Sequence, residues 1–269
     1  LSSNQNLGVA GMRNWNILAE EITNWISDYV LENDIRSLVV GVSGGVDSAV
    51  TSTLSARTGI RTIVLNMPIH QKKYQDDLSK KHISWLKENF NNVEERVVNL
   101  SKTYDSFVET VSVDEVSDLA LANSRARLRM TALYATAGSN GGIVVGTGNK
   151  VEDFGVGFYT KYGDGGVDIS PIADLLKTEV YQIARELDII EEIIQAAPTD
   201  GLWGDGRSDE EQLGASYEEL EWAMKESKNP SNKDLSEREK DVLGIYQRLN
   251  KSNSHKMNPI PIFKLYPID

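Results

Sequence analysis

The stretch 39–50, VVGVSGGVDSAV, decides how the rest of the chain is read. A β-branched run of strand length stops at Ser43, Gly44 and Gly45. An aspartate and a serine follow, and the residues from 46 to 57 have helical character. Glycines between a parallel strand and a helix let the backbone approach an anion closely, and the first free amides of the helix point at it. Phosphate is the natural guest. A Walker A loop would carry G-x-x-x-x-G-K-[ST], but Asp47 stands near the place of its lysine. A G-x-G-x-x-G dinucleotide turn also fails, because Ser43 takes the position of the second glycine. An acid among phosphates repels them unless it holds a cation. Mg²⁺ suits such a place, since it is held by one or two carboxylates together with phosphate oxygens. The loop Gly41, Val42, Ser43, Gly44, Gly45, Val46, Asp47 and Ser48 is therefore expected to bind phosphate, with Asp47 on the metal. An ordinary glycine turn accounts for the glycines but not for the acid and both serines together.

Outward from this loop, strands and helices alternate. Residues 12–33 repeat apolar positions at three and four, from Met12 and Trp15 to Tyr29. Strands are expected at 37–42, 61–67, 95–100 and 141–147, and helices at 46–57, 73–90 and 116–138. Near-continuous apolar strands alternating with helices predict a doubly wound three-layer α/β/α fold with a mostly parallel sheet. Its ligand belongs at the carboxyl ends of the strands. Beyond residue 155 a glycine-rich stretch, GVGFYTKYGDGGVD, reads as a loop. Helices follow at 175–189, 217–226 and 234–250, separated by an acidic glycine loop at 199–214. No internal repeat or domain boundary is evident, so 1–269 is expected to be one domain with a C-terminal helical extension.

Composition narrows the function. The 269 residues carry a formal charge of -12, which disfavours nucleic acid and anionic membrane as partners. The absence of cysteine excludes disulfides, zinc-thiolate sites, iron–sulfur clusters and a cysteine nucleophile in this chain, and fits a reducing compartment. No apolar run approaches the roughly 20 residues that span a bilayer. The N-terminus shows no signal-peptide pattern, although a leader could have been removed. A cytoplasmic protein is expected.

Ser43-Gly44-Gly45-Val46-Asp47-Ser48 resembles the S-G-G-x-D-S pyrophosphate loop of the N-type ATP pyrophosphatases, which cleave ATP between the α- and β-phosphates. Three further stretches are similar to the NAD synthetases within that superfamily. They are NSRARLRMTALYA (123–135), VGTGNKVEDFGVGFYTKYGDGGVDISPIADLLKTEVY (145–181) and APTDGLW (197–203). The resemblance runs from about 15 to 258 and implies an adenine-nucleotide alpha-hydrolase-like fold. It implies a ligase that makes NAD from deamido-NAD, ammonia and ATP through an adenylated intermediate, releasing AMP and pyrophosphate.

The same resemblance implies roles for individual residues. Asp47 and Glu152 would hold Mg²⁺. The segment after Glu152 is one residue longer than in many bacterial relatives, so Asp153 competes with Glu152 as ligand; spacing from Gly146 and Thr147 favours Glu152. Thr147, Lys177 and Thr199 would contact the ATP phosphates, with Asp47 and Lys177 acting in catalysis. Arg127, Lys161, Asp168, His255 and Lys256 would bind deamido-NAD, and Asp164 is a weaker candidate. Relatives that use glutamine carry an amidase domain with a cysteine, so ammonia is the expected nitrogen donor here. A homodimer with the dinucleotide near its interface is implied as well.

Helical geometry adds a check at 119–137. Leu119, Ala122, Ala126, Met130, Leu133 and Ala137 fall within about 80° of arc and are expected to face the core. Asn123 and Arg127 lie on one flank. Arg125 and Arg129 lie on the other and are expected in surface or interface ion pairs. Loops 155–166 and 201–208 are expected to move as lids. The competing readings are a GMP synthetase-type or tRNA-modifying pyrophosphatase, and a nucleotide sensor that has lost turnover.

Overall fold

The computed structural model describes residues 13–111, 116–199, 208–231 and 233–265. Met12, the first residue of the helix expected at 12–33, and nearly all of the loop 201–208 lie outside them. Four parallel strands form the sheet: β1 (Ser37–Gly41), β2 (Thr62–Asn66), β3 (Val93–Val97) and β4 (Gly142–Val144), in the order β3-β2-β1-β4. β1 is central, and pairs Val39 with Ile63 on one side and with Val144 on the other. The chain runs outward from β1 to β3 and then returns to β1's free edge as β4. That reversal makes the cleft between the ends of β1 and β4 the switch point at which such sheets bind ligands.

Side-chain alternation along the strands feeds two cores. Leu38 and Val40 face a cluster built with helices α1 (Trp15–Glu32), α2 (Val46–Arg57) and α6 (Lys177–Glu186). Val64 faces α2 and α3 (Lys73–Asn89) through Ala56, Ile83 and Leu86. Val39, Ile63 and Leu65 point the other way, toward Ala137 and Leu133 of α5 (Asp118–Asn140). The expected three-layer α/β/α fold is thereby found. Strand β3 begins two residues earlier than expected and β4 is short. Three helices were not anticipated: α4 (Ser101–Val111), α7 (Glu191–Ile194) and α8 (Asp209–Leu213), the last inside the loop expected at 199–214.

Helix α2 is almost wholly buried although it is rich in hydroxyls. Ser52, Thr53 and Ser55 each donate to a carbonyl four residues back, at Ser48, Ala49 and Thr51, so their polar atoms are satisfied within the helix. This lets a helix with an aspartate in its first turn run under the sheet. A further cluster holds the C-terminal half together. There α8 (Asp209–Leu213), α9 (Tyr217–Lys228) and α10 (Glu237–Met257) pack Leu213, Leu220, Met224, Val242 and Tyr246 against Val151 and Val156. These two valines belong to a π-helix, Val151–Val156, which follows β4. It thereby joins the sheet to the helical extension.

Candidate active site

A cavity of about 660 Å³ opens at the carboxyl ends of the strands. All eight residues of the loop 41–48 line it, together with Thr147, Glu152, Asp153, Lys177 and Thr199. The loop's shape follows from its sequence. Gly44 has φ +93°, and a Cβ there would meet the Gln75 carbonyl oxygen at 2.8 Å. The Ser43 hydroxyl accepts from the Gly45 amide at 3.2 Å, and the Ser48 hydroxyl donates to the Gly45 carbonyl at 2.9 Å. The serines thus brace the turn on either side of the glycines.

Asp47 stands in the first turn of α2, where the helix dipole favours a negative charge. Lys177, at the first position of α6 and 3% exposed, donates to Asp47 Oδ2 at 2.5 Å and to Glu152 Oε1 at 3.1 Å. Asn149, fully buried, links the same two acids. Its Nδ2 donates to Asp47 Oδ1 at 3.0 Å, and its Oδ1 accepts the amides of Val151 and Glu152 at the start of the π-helix. Tyr217 of α9 donates its hydroxyl to Glu152 Oε1 at 2.6 Å.

One buried ammonium serves two largely buried carboxylates. Burial would lower Lys177, but Asp47 and Glu152 outweigh it and hold the lysine above its ordinary value. Burial raises Asp47, with Lys177 opposing and Glu152 adding to the rise. Burial would raise Glu152 as well, but Lys177, Tyr217 and Asn149 bring it below the usual glutamate value. Counted formally, two carboxylates and one ammonium leave one negative charge in the pocket. Hard carboxylate oxygens around a stand-in cation fit Mg²⁺. Among the described residues no three acidic or histidine side chains form a cage. Two carboxylates fill only part of an octahedral shell, so an ion placed here would need further oxygens, such as those of a bound phosphate.

Residues Val151–Val156 are wound as a π-helix, a rare form that is frequent at functional sites. Both Glu152 and Asp153 line the cavity as a result. They differ in surroundings. Glu152 shares Lys177 with Asp47, whereas the Asp153 carboxylate packs on Gly148, leaving no room there for a Cβ. Burial, then Glu152, Asp164 and Asp47, push Asp153 up to about 8.

The predicted dinucleotide residues fall into two groups. Arg127 Nε donates to the Lys161 carbonyl at 3.3 Å, and Lys161 Nζ to the His255 carbonyl at 2.7 Å. Lys256 Nζ donates to the carbonyls of Gly157 and Tyr159, both at 2.8 Å. The end of α10 is thus tied to the loop after the π-helix. Asp168 stands apart at β4, its carboxylate accepting from the Val144 amide and the Tyr134 hydroxyl. Asp164 accepts the Thr160 amide, and Thr160 donates to Asn123.

Two expectations are corrected. Arg129 is not a surface residue. It donates to the Met67 carbonyl and to Gln71 in the cavity wall, and burial, helped by Arg125, pushes it down to about 10. The stripe on α5 is only partly core: Ala122 and Ala137 are buried, while Leu119, Ala126, Met130 and Leu133 line the cavity, with Leu119 58% exposed. At the start of the segment 155–166, the carbonyls of Gly155, Val156 and Gly157 accept from Asn250, Asn253 and Lys256 of α10. Sequence reasoning missed Asn149, Arg129 and Tyr217. Asn149 lies within the quoted 145–181 stretch, and Arg129 in the arginine-rich helix. Tyr217 has no local signal.

The sequence profile of the NAD synthase family matches residues 18–260. An NH3-dependent NAD(+) synthetase of Carboxydothermus hydrogenoformans is 35% identical over 247 residues, covering 90% of this chain and 95% of the relative. One from Mycoplasma genitalium is 36% identical over 251 residues, with 92% and 95% covered. Among solved structures, an NMN synthetase from Francisella tularensis superposes with a TM-score of 0.81 at 30% identity, with 95% of this chain and 99% of that one covered.

Proposed function

The chain belongs to the NAD synthase family, and from that premise we propose that it amidates deamido-NAD with ammonia, driven by cleavage of ATP to AMP and pyrophosphate. The observation that carries the reading is the pair Asp47 and Glu152 on one buried lysine, beside a glycine loop at the switch point of the sheet.

The loop 43–48 receives the β- and γ-phosphates on backbone amides and the Ser43 and Ser48 hydroxyls. Asp47 and Glu152 would hold Mg²⁺, which supplies charge stabilisation for the departing pyrophosphate. Lys177 keeps the two acids ionised and close, and turns to the phosphates when they arrive. Thr147 and Thr199 add hydroxyls at the ends of β4 and of the segment after α7. The nicotinate carboxylate oxygen attacks the α-phosphorus, and the bond to the bridging oxygen breaks to release pyrophosphate. Ammonia then attacks the acyl carbon of the adenylate, loses a proton, and AMP departs with the carbon–oxygen bond. Positioning does most of this work. Arg127, Lys161, His255 and Lys256 hold the dinucleotide, and Asp168 shapes the wall at β4.

The chain acts as a single domain, paired in a homodimer with the dinucleotide near the interface. No helix among the described residues is long and apolar enough to cross a membrane. The absence of cysteine suits the cytoplasm as its setting.

A second reading of the substrate is nicotinate mononucleotide, favoured by the likeness to a structure named for making NMN. Incubating the purified protein with ATP, Mg²⁺, ammonium and either acid separates the two. NAD formed in step with AMP from deamido-NAD supports the proposal. Amidation of the mononucleotide alone moves the assignment to that substrate, and no AMP with either acid overturns both.

A further inference from the structure

The hydroxyl of Tyr217 is the least explained group at the site. Its ring belongs to the C-terminal cluster with Val151, Val156, Leu220 and Met224, and the residue is 3% exposed. Packing alone would be served by phenylalanine. Yet the hydroxyl leaves this apolar cluster and donates to Glu152 Oε1 at 2.6 Å, and lies 3.5 Å from Asp209 Oδ2. The ring face also lies under the Lys177 ammonium, 4.8 Å from nitrogen to centroid. One side chain of α9 thus touches a proposed metal acid and the lysine bridging it to the other, and reaches back to α8.

We propose that Tyr217 is a positioning residue for the metal site: its hydroxyl fixes the rotamer of Glu152, so that the helical extension sets how tightly Mg²⁺ and ATP are held. The proposal rests on the reading of Asp47 and Glu152 as metal ligands. The physical basis is that outer partners of a metal-bound carboxylate hold its orientation, and losing one costs about 10–100-fold in metal affinity. Glu152 Oε1 already accepts from Lys177, so the tyrosine hydroxyl fixes it from a second direction.

The test is Mn²⁺ binding to the full chain, followed by electron paramagnetic resonance in the presence of a non-hydrolysable ATP analogue. Tyr217→Phe keeps the ring in place, and circular dichroism and thermal melting verify the fold. Mn²⁺ affinity is expected to fall about 10–100-fold. In turnover, the Mg²⁺ requirement and the KM for ATP rise while the KM for the dinucleotide stays put. Unchanged Mn²⁺ affinity in Tyr217→Phe would overturn the proposal. A double-variant cycle gives a second, independent check. In a Glu152→Gln background, Tyr217→Phe is expected to cost nothing further, and a full additional loss would show that the hydroxyl acts elsewhere. If the unaltered chain binds no Mn²⁺ with the analogue, the reading of the two carboxylates falls first and takes this proposal with it.

Discussion

The glycine loop after β1 and the π-helix after β4 bring carboxylates to the same lysine, yet they are built in opposite ways. The loop is a backbone device. Its geometry comes from Gly44 at positive φ, from bracing serines, and from the amide end of a buried helix. The π-helix side is a side-chain device. Asn149 beside it, Lys177 at the start of α6 and Tyr217 on α9 fix Glu152 by hydrogen bonds. A local backbone turn leaves a short, contiguous signature in sequence. A convergence of distant side chains leaves none, because nothing in the neighbourhood of Tyr217 says that it meets Glu152.

The comparison is best broken at its shared points. Asp47→Ala removes a proposed metal ligand and is expected to lower kcat/KM for ATP by about 10³-fold, measured as AMP release. Lys177→Met leaves two largely buried carboxylates without their cation, and is expected to destabilise the metal-free protein by about 3–5 kcal/mol in urea unfolding. Added Mg²⁺ and ATP should restore part of that loss, since they bring the missing charge. Gly44→Ala tests the backbone wall alone. A Cβ at φ +93° faces the Gln75 carbonyl, so a loss of about 1–3 kcal/mol and weaker ATP binding by calorimetry are expected.

The smaller effects sharpen the side-chain wall. Lys256→Ala frees the carbonyls of Gly157 and Tyr159, and should raise the KM for the dinucleotide roughly 10-fold while leaving that for ATP unchanged, as loss of a group that binds without reacting. Asp153 gives the pH test. Its folded-state value near 8 lies above the ordinary 3.8, so the native state keeps a proton that the unfolded chain sheds. Stability of the metal-free protein should therefore decline as pH rises from 3.8 toward 8. Asp153→Asn is expected to flatten that decline, with its gain in Tm greatest at pH 8 and vanishing near pH 4.

Much of this was legible in the sequence. The parallel sheet follows from apolar runs at β1 and β2, and the phosphate loop from residues 43–48. What stayed hidden has physical reasons. Strand β3, at the sheet edge, is only half buried and reads Val-Glu-Glu-Arg-Val, so its period is weak and its start was misplaced. The stripe on α5 looked like core because a nucleotide cavity is lined with the same apolar residues as a packed interior. Arg129 looked solvated because a charge on a helix flank usually is; here a carbonyl and a glutamine in the cavity wall receive it. The ambiguity between Glu152 and Asp153 was legible, but the π-helix that carries both to the cavity has no sequence signature.

The central claim is that Asp47 and Glu152, held together by Lys177, are the seat of the metal that carries the ATP phosphates. Crystals grown with Mn²⁺ and a non-hydrolysable ATP analogue test it by anomalous diffraction. The account predicts a manganese peak bonded to oxygens of Asp47, Glu152 and the phosphates, with the Lys177 ammonium displaced toward the phosphates. A peak bonded to Asp153 in place of Glu152, or a nucleotide bound away from the loop 43–48, would contradict it.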